Sequence, residues 1–443
     1  MTPKYTDLQQ ALQAQGVHTV LAQFCDLHGV AKGKLVPLEK LQEWVDVGAG
    51  FAGPSIWGTG LPRMGPRSEY YGRVQPESLQ ALPFMPGVAR AVCDGFAGGQ
   101  ALDTCSRQVL KTVLAAIEKR GWKLWVGVEP EFFLMRQTQG KWQIADAQDQ
   151  LDKPSYDLKS IHRNADFLDA MRNQLVALGF DLQQIDHEDA CGQYEINYRY
   201  DHAMAAADRY MLFKLTAHAV AQAHGMVFSA MPKPLAHAPG SGLHFHLSVT
   251  DAEGRAVFAD PAGHWGLSTQ GHQFAAGLLH HADGLAAVCA PTVNSYKRLA
   301  PTASASGTTW SPVWKAYGPN NRTCLVRVVE GRLEWRLPDP SCNIYAAIAA
   351  TLVAGLQGID RGLQSAYGVE DDLYLRAQSG QAMPPALPRD LTAALQSLEA
   401  DEVLRNGLGA AFCEQFLAIK QAECAAYAQH ISDWELTLYA QAF

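Results

Sequence analysis

The chain has 443 residues, of which 48% are hydrophobic and 18% charged, a composition typical of a globular protein with a large core. Its formal net charge of −8 argues against nucleic acid or an anionic membrane surface as the main partner. The nine cysteines form no C-x-x-C pair, which favours reduced thiols, and the apolar runs are too short to span a bilayer, so we expect a cytoplasmic protein.

The first hundred residues predict a small α+β domain. Short helices are predicted at 5–14 and 39–46, around a strand-like run at 17–25. Residues 47–67 are rich in Gly and Pro, which predicts a long loop. A further strand-like run ends near Asp94, and 95–100 is typical of a linker. We therefore predict two domains, over residues 1–102 and 103–443.

From residue 106 onwards, helical patterns alternate with strand-like runs. Apolar residues at helical spacing predict helices at 109–120, 165–178, 204–223 and 344–363. The last of these is almost entirely apolar and is expected to be buried. Residues 390–430 predict two more helices.

Four strand-like runs carry polar side chains two residues apart. These side chains are Glu129 and Glu131, Glu195 and Asn197, His244 and His246, and Arg332, Glu334 and Arg336. Because side chains alternate between the two faces of a strand, each set points to one side. Four such sets predict a sheet with one charged face that lines an active site.

Two carboxylates on one strand face repel each other unless a cation lies between them. Glu129 and Glu131 have this spacing, and Gly192 predicts a turn that brings Glu188 and Glu195 together. Oxygen-rich ligation favours Mg²⁺ or Mn²⁺ over zinc. The alternatives are carboxylates that are solvated or paired elsewhere and, for the histidines, ring nitrogens bonded to backbone carbonyls in a core.

A cationic set accompanies these carboxylates in apolar or small-residue contexts, where a purely surface role is unusual. Its members are Lys297, Arg298, Arg322, Arg327, Arg332 and Arg336. Guanidinium groups suit carboxylate and phosphate oxygens. The combination predicts a site for divalent ions, a nucleotide polyphosphate and an acidic substrate. The run from Gly29 to Lys34 has one residue too few for a Walker A loop, so any ATP is held by another device.

Seven motifs, in order along the chain, resemble those of the glutamine synthetase family. They are Val-Glu-Pro-Glu-Phe-Phe, Glu-Asp-Ala-Cys-Gly-Gln-Tyr-Glu-Ile-Asn, Met-Pro-Lys-Pro, Gly-Ser-Gly-Leu-His-Phe-His-Leu-Ser, Asn-Ser-Tyr-Lys-Arg-Leu, Asn-Asn-Arg-Thr and Arg-Leu-Glu-Trp-Arg-Leu-Pro-Asp. The resemblance implies an α+β fold with a small N-terminal β-grasp domain. It also implies a large C-terminal catalytic domain of the ATP:guanido kinase type, with a curved antiparallel sheet flanked by helices.

The resemblance also implies roles for individual residues. The implied metal ligands are Glu131, Glu188 and Glu195 on the glutamate side, and Glu129, His244 and Glu334 on the ATP side. The implied glutamate contacts are Arg298, Arg336 and the backbone of Gly240, and Arg298, Arg336 and Glu195 are the implied catalytic residues. The implied nucleotide contacts are Arg322, Arg327, Arg332, His246 and Ser248. In the family reaction, the γ-carboxylate of glutamate attacks ATP to give γ-glutamyl phosphate, and an amine then displaces phosphate.

Departures from the family pattern concern the amine. Where ammonia-using members carry an Asp, the 51–57 loop has Ala52, and residues 299–307 contain no carboxylate. Pro239 also replaces an Asn that usually touches glutamate. The loss of the carboxylates at position 52 and in 299–307 weakens ammonium capture. It leaves a less polar pocket, whose predicted walls are Trp57, Trp310 or Trp314.

These departures resemble the γ-glutamylmethylamide synthetase branch of the family. We therefore expect a glutamate–amine ligase that uses methylamine, another small alkylamine or an aromatic amine such as aniline. A glutamine synthetase that uses ammonia is the nearest alternative. A non-catalytic scaffold and a metallohydrolase are the more distant alternatives. The resemblance further implies a homo-oligomer of two stacked hexamers, a dodecamer, in which residues 51–57 serve the neighbouring subunit's site.

Overall fold

The computed structural model of the protein describes residues 4–300 and 310–443. It confirms the predicted α+β class, because helices surround two separate sheets. The strands are β1 (Thr19–Cys25), β2 (Ala31–Pro37), β3 (Ala49–Ala52), β4 (Glu69–Val74), β5 (Gln80–Ala81), β6 (Val88–Ala97), β7 (Gln100–Ala101), β8 (Lys123–Thr138), β9 (Lys141–Ile144), β10 (Leu182–His187), β11 (Gln193–Tyr198), β12 (Asp201–His202), β13 (Val227–Ser229), β14 (Leu243–Thr250), β15 (Tyr317–Pro319), β16 (Val326–Val329) and β17 (Arg332–Trp335). The α-helices are α1 (Thr6–Ala14), α2 (Leu41–Asp46), α3 (Ser106–Glu118), α4 (Leu158–Arg163), α5 (Ala165–Ala177), α6 (Ala203–Ala223), α7 (Thr269–His280), α8 (Ala282–Cys289), α9 (Ser295–Arg298), α10 (Ile344–Asp360), α11 (Leu373–Gln378), α12 (Leu391–Ala400), α13 (Glu402–Leu408), α14 (Ala410–Ala428) and α15 (Asp433–Tyr439).

The first sheet has the strand order β2-β1-β6-β4-β3, and β5 and β7 also pair with β6. Strands β1 and β6 run parallel, whereas the other neighbours are antiparallel. Val20, Ala22 and Phe24 alternate along β1 and enter a small core with Leu38 and Leu41. The period of two therefore buries one face of this sheet.

Two predictions for the N-terminal region are wrong. Residues 47–67 are not one loop, because Gly48 turns the chain with a φ of +100° and β3 then pairs with β4. Strand β6 does not end near Asp94 but continues through Gly95 to Ala97. A Cβ at Gly95 would lie 2.7 Å from Cε2 of Tyr70. This glycine therefore permits close packing inside the strand instead of ending it.

The second sheet is centred on the long strand β8. Its order is β10-β11-β8-β14-β17-β16-β15, and β9, β12 and β13 also pair with β8. The pairing is antiparallel except between β15 and β16, which run parallel. Strand β8 carries Glu129 and Glu131, so its central place puts both carboxylates in the middle of the sheet.

The predicted helices at 109–120, 165–178, 204–223 and 344–363 are confirmed as α3, α5, α6 and α10, with slightly different ends. Helix α10 is buried over most of its length, as its apolar sequence predicts. Residues 390–430 form three helices and not two, because Asp401 caps the start of α13 and Gly409, with a φ of +92°, separates α13 from α14. In the described ranges, we find no helix with the length and apolar character needed to cross a membrane.

A buried ionic network joins the first sheet to the helices behind the second. Arg107 on α3 contacts both Asp94 on β6 and Asp208 on α6, the latter at 3.0 Å. Tyr345 on α10 donates its hydroxyl hydrogen to Asp208 Oδ1 at 2.8 Å. Because breaking a buried charged hydrogen bond is costly, these contacts hold the two parts of the chain in a fixed arrangement.

Candidate active site

The four polar strand sets lie on adjacent strands, in the order β11, β8, β14 and β17. The directly opposed residues are Glu195 and Glu131, Glu129 and His244, and His246 and Glu334. Opposed residues on antiparallel strands share a sheet face, with Cβ atoms about 4.5–5.5 Å apart. The register therefore confirms the predicted charged face of the sheet.

A cavity of about 390 Å³ lies over this face. Its acidic lining residues are Glu129, Glu131, Asp186, Glu188, Asp189, Glu195 and Glu334. Its basic lining residues are His244, Arg298, Arg322, Arg327 and Arg336. Other residues of the wall include Tyr156, Gln193, Pro239, Gly240 and Trp310. Carboxylates and guanidinium groups thus meet in one space, where they can hold cations and anionic substrates side by side.

Three side chains on the β14 side of the cavity form what we call the paired cluster: Glu129, His246 and Glu334. Their ligand atoms all lie within 4.8 Å of one another. Nε2 of His246 is 2.8 Å from Oε1 of Glu129. Arg327 donates from Nη1 to Oε2 of Glu334 at 2.6 Å, and Arg336 contacts the other carboxylate oxygen. The carboxylates of this cluster therefore have positive or hydrogen-bonding partners within the chain.

His244, an implied metal ligand, lies beside the paired cluster. Its Nδ1 is 3.6 Å from a carboxylate oxygen of Glu129 and 3.6 Å from one of Glu334. His246, which the resemblance places on the nucleotide, is close to the same carboxylates, and its Nδ1 accepts a hydrogen bond from Nε of Arg332 at 3.1 Å. Both histidines can therefore reach a cation held by Glu129 and Glu334.

The surroundings of the paired cluster favour ionised carboxylates. Burial by itself would raise the pKa of Glu334, but the charge of Arg336, followed by the two histidines, lowers it to about 2. Burial also opposes ionisation of Glu129, whereas hydrogen bonds with His244 and His246 lower its pKa overall. Glu334 is almost fully buried, so its charge is tolerated because the arginines balance it.

On the β10 side, Asp186, Glu188 and Glu195 form what we call the unpaired cluster, again with ligand atoms within 4.8 Å of one another. None of the three takes part in an ion pair with any residue that the structure describes. Burial, followed by repulsion from Glu131, raises the pKa of Glu188 to about 8. Burial and repulsion from Glu188 also raise the pKa of Glu195 well above its ordinary value. A cation between these oxygens would relieve the repulsion, so the donor set fits a hard divalent ion.

The loop around Gly240 brings backbone close to a buried arginine. A Cβ at Gly240 would lie 2.3 Å from the carbonyl oxygen of Pro232 and 3.0 Å from Cγ of Arg298, so the position accepts only glycine. Arg298 is 6% exposed and donates to the carbonyl oxygens of Leu337 and Arg336, both at 3.0 Å. Its guanidinium is therefore held rigidly in the cavity wall.

A second cavity, of about 820 Å³, adjoins the first. His246, Ser248 and Arg332 line it, and Gln184 and Asn197 line both cavities. The resemblance assigns five residues to the nucleotide. Three of them line the second cavity, and the remaining two, Arg322 and Arg327, line the first. One elongated ligand can therefore extend from the charged face into the second cavity.

The residues predicted around the amine have different outcomes. Trp310 lines the first cavity, with a φ of +50°. Ala52 and Trp57 are exposed and, within the described part of this chain, line neither cavity; the Trp57 ring lies edge-on to His28 at 5.7 Å. The prediction for Trp314 is wrong, because this side chain is buried in a separate apolar cluster.

The remaining predictions near the amine concern the segment after α9. Residues 301–307, which carry most of the predicted uncharged segment, lie outside the described residues. Pro239 lines the first cavity, as expected from its place beside Gly240. Lys297 does not join the arginines there: its ammonium group lies 5.3 Å from the ring centre of Tyr427 on α14.

Asp186, Gln193 and Tyr156 are among the residues of this site that sequence reasoning missed. Asp186 lies opposite Glu195 in the sheet and two residues before Glu188, so the period-two rule could have found it. Gln193 donates from Nε2 to Oε2 of Glu131 at 3.3 Å and to the Gly240 carbonyl oxygen at 3.1 Å. Tyr156 lines the cavity with a φ of +64°, a conformation that no sequence pattern predicts for tyrosine.

Comparisons with known proteins cover almost the whole chain. The model of the glutamine synthetase catalytic domain matches residues 103–439. The chain is 44% identical over 443 residues to the glutamate–methylamine ligase of Methyloversatilis universalis, and the alignment covers 99% of each protein. It is 36% identical to a glutamine synthetase of Rhizobium leguminosarum bv. phaseoli, over 97% of this chain and 98% of that protein.

Solved structures show the same similarity. A GmaS/ADP complex superposes with a TM-score of 0.91 and 41% sequence identity, over 98% of this chain and 99% of the other. A GmaS structure without ligand gives a TM-score of 0.91 and 38% identity, over 98% and 100% of the two chains. The shared fold therefore includes both sheets and not only the catalytic cavity.

Proposed function

Because this chain belongs to the glutamine synthetase family, we propose that it is an ATP-dependent ligase that joins an organic amine to the γ-carboxylate of L-glutamate. The observation that carries the proposal is the first cavity, where clustered carboxylates face arginines on one sheet. The full-length relative at 44% identity is named a glutamate–methylamine ligase, which supports methylamine as the first candidate amine.

In the proposed site, two divalent cations bind beside the two clusters, while Asp186 of the unpaired cluster and His246 of the paired cluster are proposed to contact substrates instead. The proposed ligands are Glu131, Glu188 and Glu195 for one cation, and Glu129, His244 and Glu334 for the other. Close buried carboxylates with a raised pKa support the first position, because they repel one another in its absence. The all-carboxylate set of the first cation, and the two carboxylates of the second, favour Mg²⁺ or Mn²⁺. Such cations, when bound, neutralise phosphate charge during phosphoryl transfer.

Two arginines are proposed to orient the glutamate and the transferred phosphate. Arg298 is fixed by backbone carbonyls, and Arg336 lies beside it, in contact with Glu334. A guanidinium that is held in place before the substrate arrives needs little reorganisation to stabilise developing negative charge. The backbone at Gly240 can approach the substrate closely because no side chain intervenes. Glu195, in the unpaired cluster, completes the proposed catalytic set.

The nucleotide is proposed to extend across both cavities. Arg322 and Arg327 line the first cavity, so they suit the phosphates, whereas Arg332, His246 and Ser248 line the second, which has room for the nucleoside. This placement puts the terminal phosphate on the charged sheet face, next to the proposed cations. It also provides the alternative to a Walker A loop that the sequence required.

The amine is proposed to enter on the side of Asp186, Tyr156 and Trp310. Ala52 offers no carboxylate, but Asp186 supplies one from the wall of this chain's own cavity. A carboxylate in a cavity that Tyr156 and Trp310 also line suits a small organic ammonium ion better than ammonium alone, because the substituent gains apolar contact. Trp57 is proposed to reach the site of a neighbouring subunit, in a dodecamer of two stacked hexamers.

Ammonia is the second candidate substrate, because several similar proteins are named glutamine synthetases. A non-catalytic scaffold is less well supported, since all six proposed metal ligands are present. We also propose the division into domains over 1–102 and 103–443, which the start of the family match at residue 103 supports.

The test is phosphate release from ATP, Mg²⁺ and L-glutamate with ammonia, methylamine, ethylamine, ethanolamine or aniline, with the product identified by mass. We expect kcat/KM for methylamine to exceed that for ammonia by about tenfold or more, since one small apolar group is worth about 1–3 kcal/mol. A preference for ammonia would contradict the proposed amine and leave the ligase reaction intact. No turnover with any amine would support the scaffold.

The variant Asp186→Asn sharpens this test. We expect KM for methylamine to rise about tenfold, because one charged contact is worth about 1.4 kcal/mol or more. KM for glutamate should change little. The matched control is Asp169→Asn on α5, whose exposed side chain accepts a hydrogen bond from Nδ2 of Asn173 one turn away; it should leave both values unchanged. Equal effects on amine and glutamate would mean that Asp186 does not act on the amine.

A further inference from the structure

The turn between β10 and β11 determines where two carboxylates of the unpaired cluster lie. Glu188 precedes the turn and Glu195 follows it, and their ligand atoms belong to the same cluster. The turn is closed by hydrogen bonds from the Glu188 N–H to Gln193 O at 2.9 Å and from the Gln193 N–H to Ala190 O at 3.0 Å. Any movement of this turn would therefore change the separation of Glu188 and Glu195.

Asp149, in the loop after β9, lies behind this turn and away from the cavity lining. Its Oδ2 accepts a hydrogen bond from the Gly192 N–H at 2.6 Å and lies 2.7 Å from Nε2 of His187. The side chains of Asp149 and His187 are both 0% exposed. Gly192 has a φ of +75°, and a Cβ there would lie 2.9 Å from Ile144, so this position of the turn accepts only glycine.

His187 links Asp149 to the backbone of Glu188, a residue that lines the first cavity. Its Nδ1 lies 2.9 Å from the carbonyl oxygen of Glu188, and its own carbonyl accepts a hydrogen bond from the Tyr156 N–H at 2.9 Å. One buried carboxylate oxygen thus contacts the turn at Gly192 and, through His187, the backbone of Glu188 that precedes it. Asp149 itself touches none of the proposed metal ligands.

We propose that Asp149 is a positioning residue, which holds Glu188 and Glu195 at the separation that a divalent cation requires. The inference rests on the proposed metal role of these two carboxylates. Groups that orient metal ligands without touching the metal typically change metal affinity or activity by about 10–100-fold when they are replaced. Without the Asp149 charge, an amide oxygen can still accept from the Gly192 N–H, but the charged contact with the buried His187 ring is lost, which weakens the link from this turn to Glu188.

The chain offers a matched control in a second His–Asp contact, in which the histidine is buried and the aspartate side chain is 15% exposed. Nδ1 of His281 lies 2.6 Å from Oδ2 of Asp401, and Asp401 also accepts a hydrogen bond from the Leu404 N–H at 3.0 Å. Like Asp149, Asp401 therefore holds one histidine ring and one backbone N–H, but it lies between helices of the C-terminal region. Asparagine retains an acceptor for the backbone N–H in both places.

The experiment compares Asp149→Asn and Asp401→Asn with the unaltered protein by titration with Mn²⁺, measured by calorimetry and by the electron paramagnetic resonance of free Mn²⁺, in the absence of substrates. We expect Asp149→Asn to weaken Mn²⁺ binding by about 10–100-fold. Asp401→Asn should lower the melting temperature and leave Mn²⁺ binding within about twofold of the unaltered protein, since its contacts lie outside the cavity.

Normal Mn²⁺ binding by Asp149→Asn, or an equal loss in both variants, would overturn the proposal. If Asp149→Asn does not fold, His187→Gln, which retains a donor toward Asp149 but not the imidazole contact with Glu188 O, should weaken Mn²⁺ binding in the same direction; normal binding by this variant would also overturn it. Mn²⁺ binding without amine ligation would contradict the proposed reaction and leave the role of Asp149 intact.

Discussion

The paired and unpaired clusters occupy the same sheet face and are built from similar residues, yet their carboxylates behave in opposite ways. In the paired cluster, Arg336 lowers the pKa of Glu334 to about 2 despite burial. In the unpaired cluster, burial and neighbouring carboxylates raise the pKa of Glu188 to about 8. The chain thus supplies positive charge for one cluster and leaves the other to an added cation.

This difference separates two kinds of contribution to the site. Glu334 is part of a buried ion-pair network with Arg327 and Arg336, so it contributes to the stability of the fold as well as to the proposed chemistry. The charged groups that act most strongly on Glu188 are the carboxylates of Glu131 and Asp189, so without a cation it opposes folding. Substitutions in the two clusters should therefore have opposite effects on stability.

The largest expected effect is that of Glu334→Gln. The substitution leaves two arginines at buried or half-buried positions without their charge partner, so we expect the metal-free protein to lose about 3–5 kcal/mol of unfolding free energy. Calorimetry in the presence of a chelator measures the change. The control is Glu330→Gln, whose 87% exposed side chain lies 3.6 Å from Arg332. A surface pair of this kind is worth about 0–1 kcal/mol. Equal stability of the two variants would contradict the comparison.

A smaller effect of opposite sign is expected for Glu188→Gln. The neutral amide removes repulsion within the unpaired cluster but still loses its contact with water, so we expect the metal-free protein to recover only part of the shift, about 1–3 kcal/mol at pH 8, at about 1.36 kcal/mol per unit of pKa. The same variant should lose most of the stabilisation that Mn²⁺ gives, which is about 2.7 kcal/mol at a hundredfold excess over Kd. Melting temperatures with and without Mn²⁺ test both statements, and a less stable metal-free variant would be contrary to the first.

The smallest expected effect is a pH dependence of the unfolding free energy. The unpaired cluster should cause it near neutral pH and the paired cluster only in acid. Below the ordinary pKa of 4.5, Glu188 is protonated in the folded and the unfolded chain and favours neither. Between pH 4.5 and about pH 8, Glu188 is ionised in the unfolded chain but still protonated in the folded one. The metal-free protein therefore loses stability as the pH rises. Glu334, with a pKa of about 2, loses its contribution only in acid and adds no slope in this range.

Mn²⁺ binding requires the ionised carboxylates, so the rise in melting temperature caused by Mn²⁺ should grow between pH 6 and pH 8. Melting curves at matched ionic strength measure this, and the Glu188→Gln variant should show a flatter profile. A Mn²⁺ effect that is constant over this range in the unaltered protein would indicate that Glu188 is not in contact with the cation.

The local sequence determined which side chains share a strand face. Glu129 with Glu131, and His244 with His246, could be assigned because alternation along a strand follows from backbone geometry and needs no knowledge of neighbouring strands. The burial of α10 followed equally from its apolar composition. Ordered motifs then related these strands to a known family, which supplied the expected partners of each residue.

The tertiary structure decided which groups meet and what charge each one carries. Asp186 joins Glu195 only through the pairing of β10 with β11, and Asp149 reaches the turn at Gly192 from a loop distant in sequence. The same holds for the pKa values, because Arg336 beside Glu334 and Glu131 near Glu188 are neighbours in space. Period and composition act over a few residues, whereas charge interactions and strand order depend on contacts between distant parts of the chain.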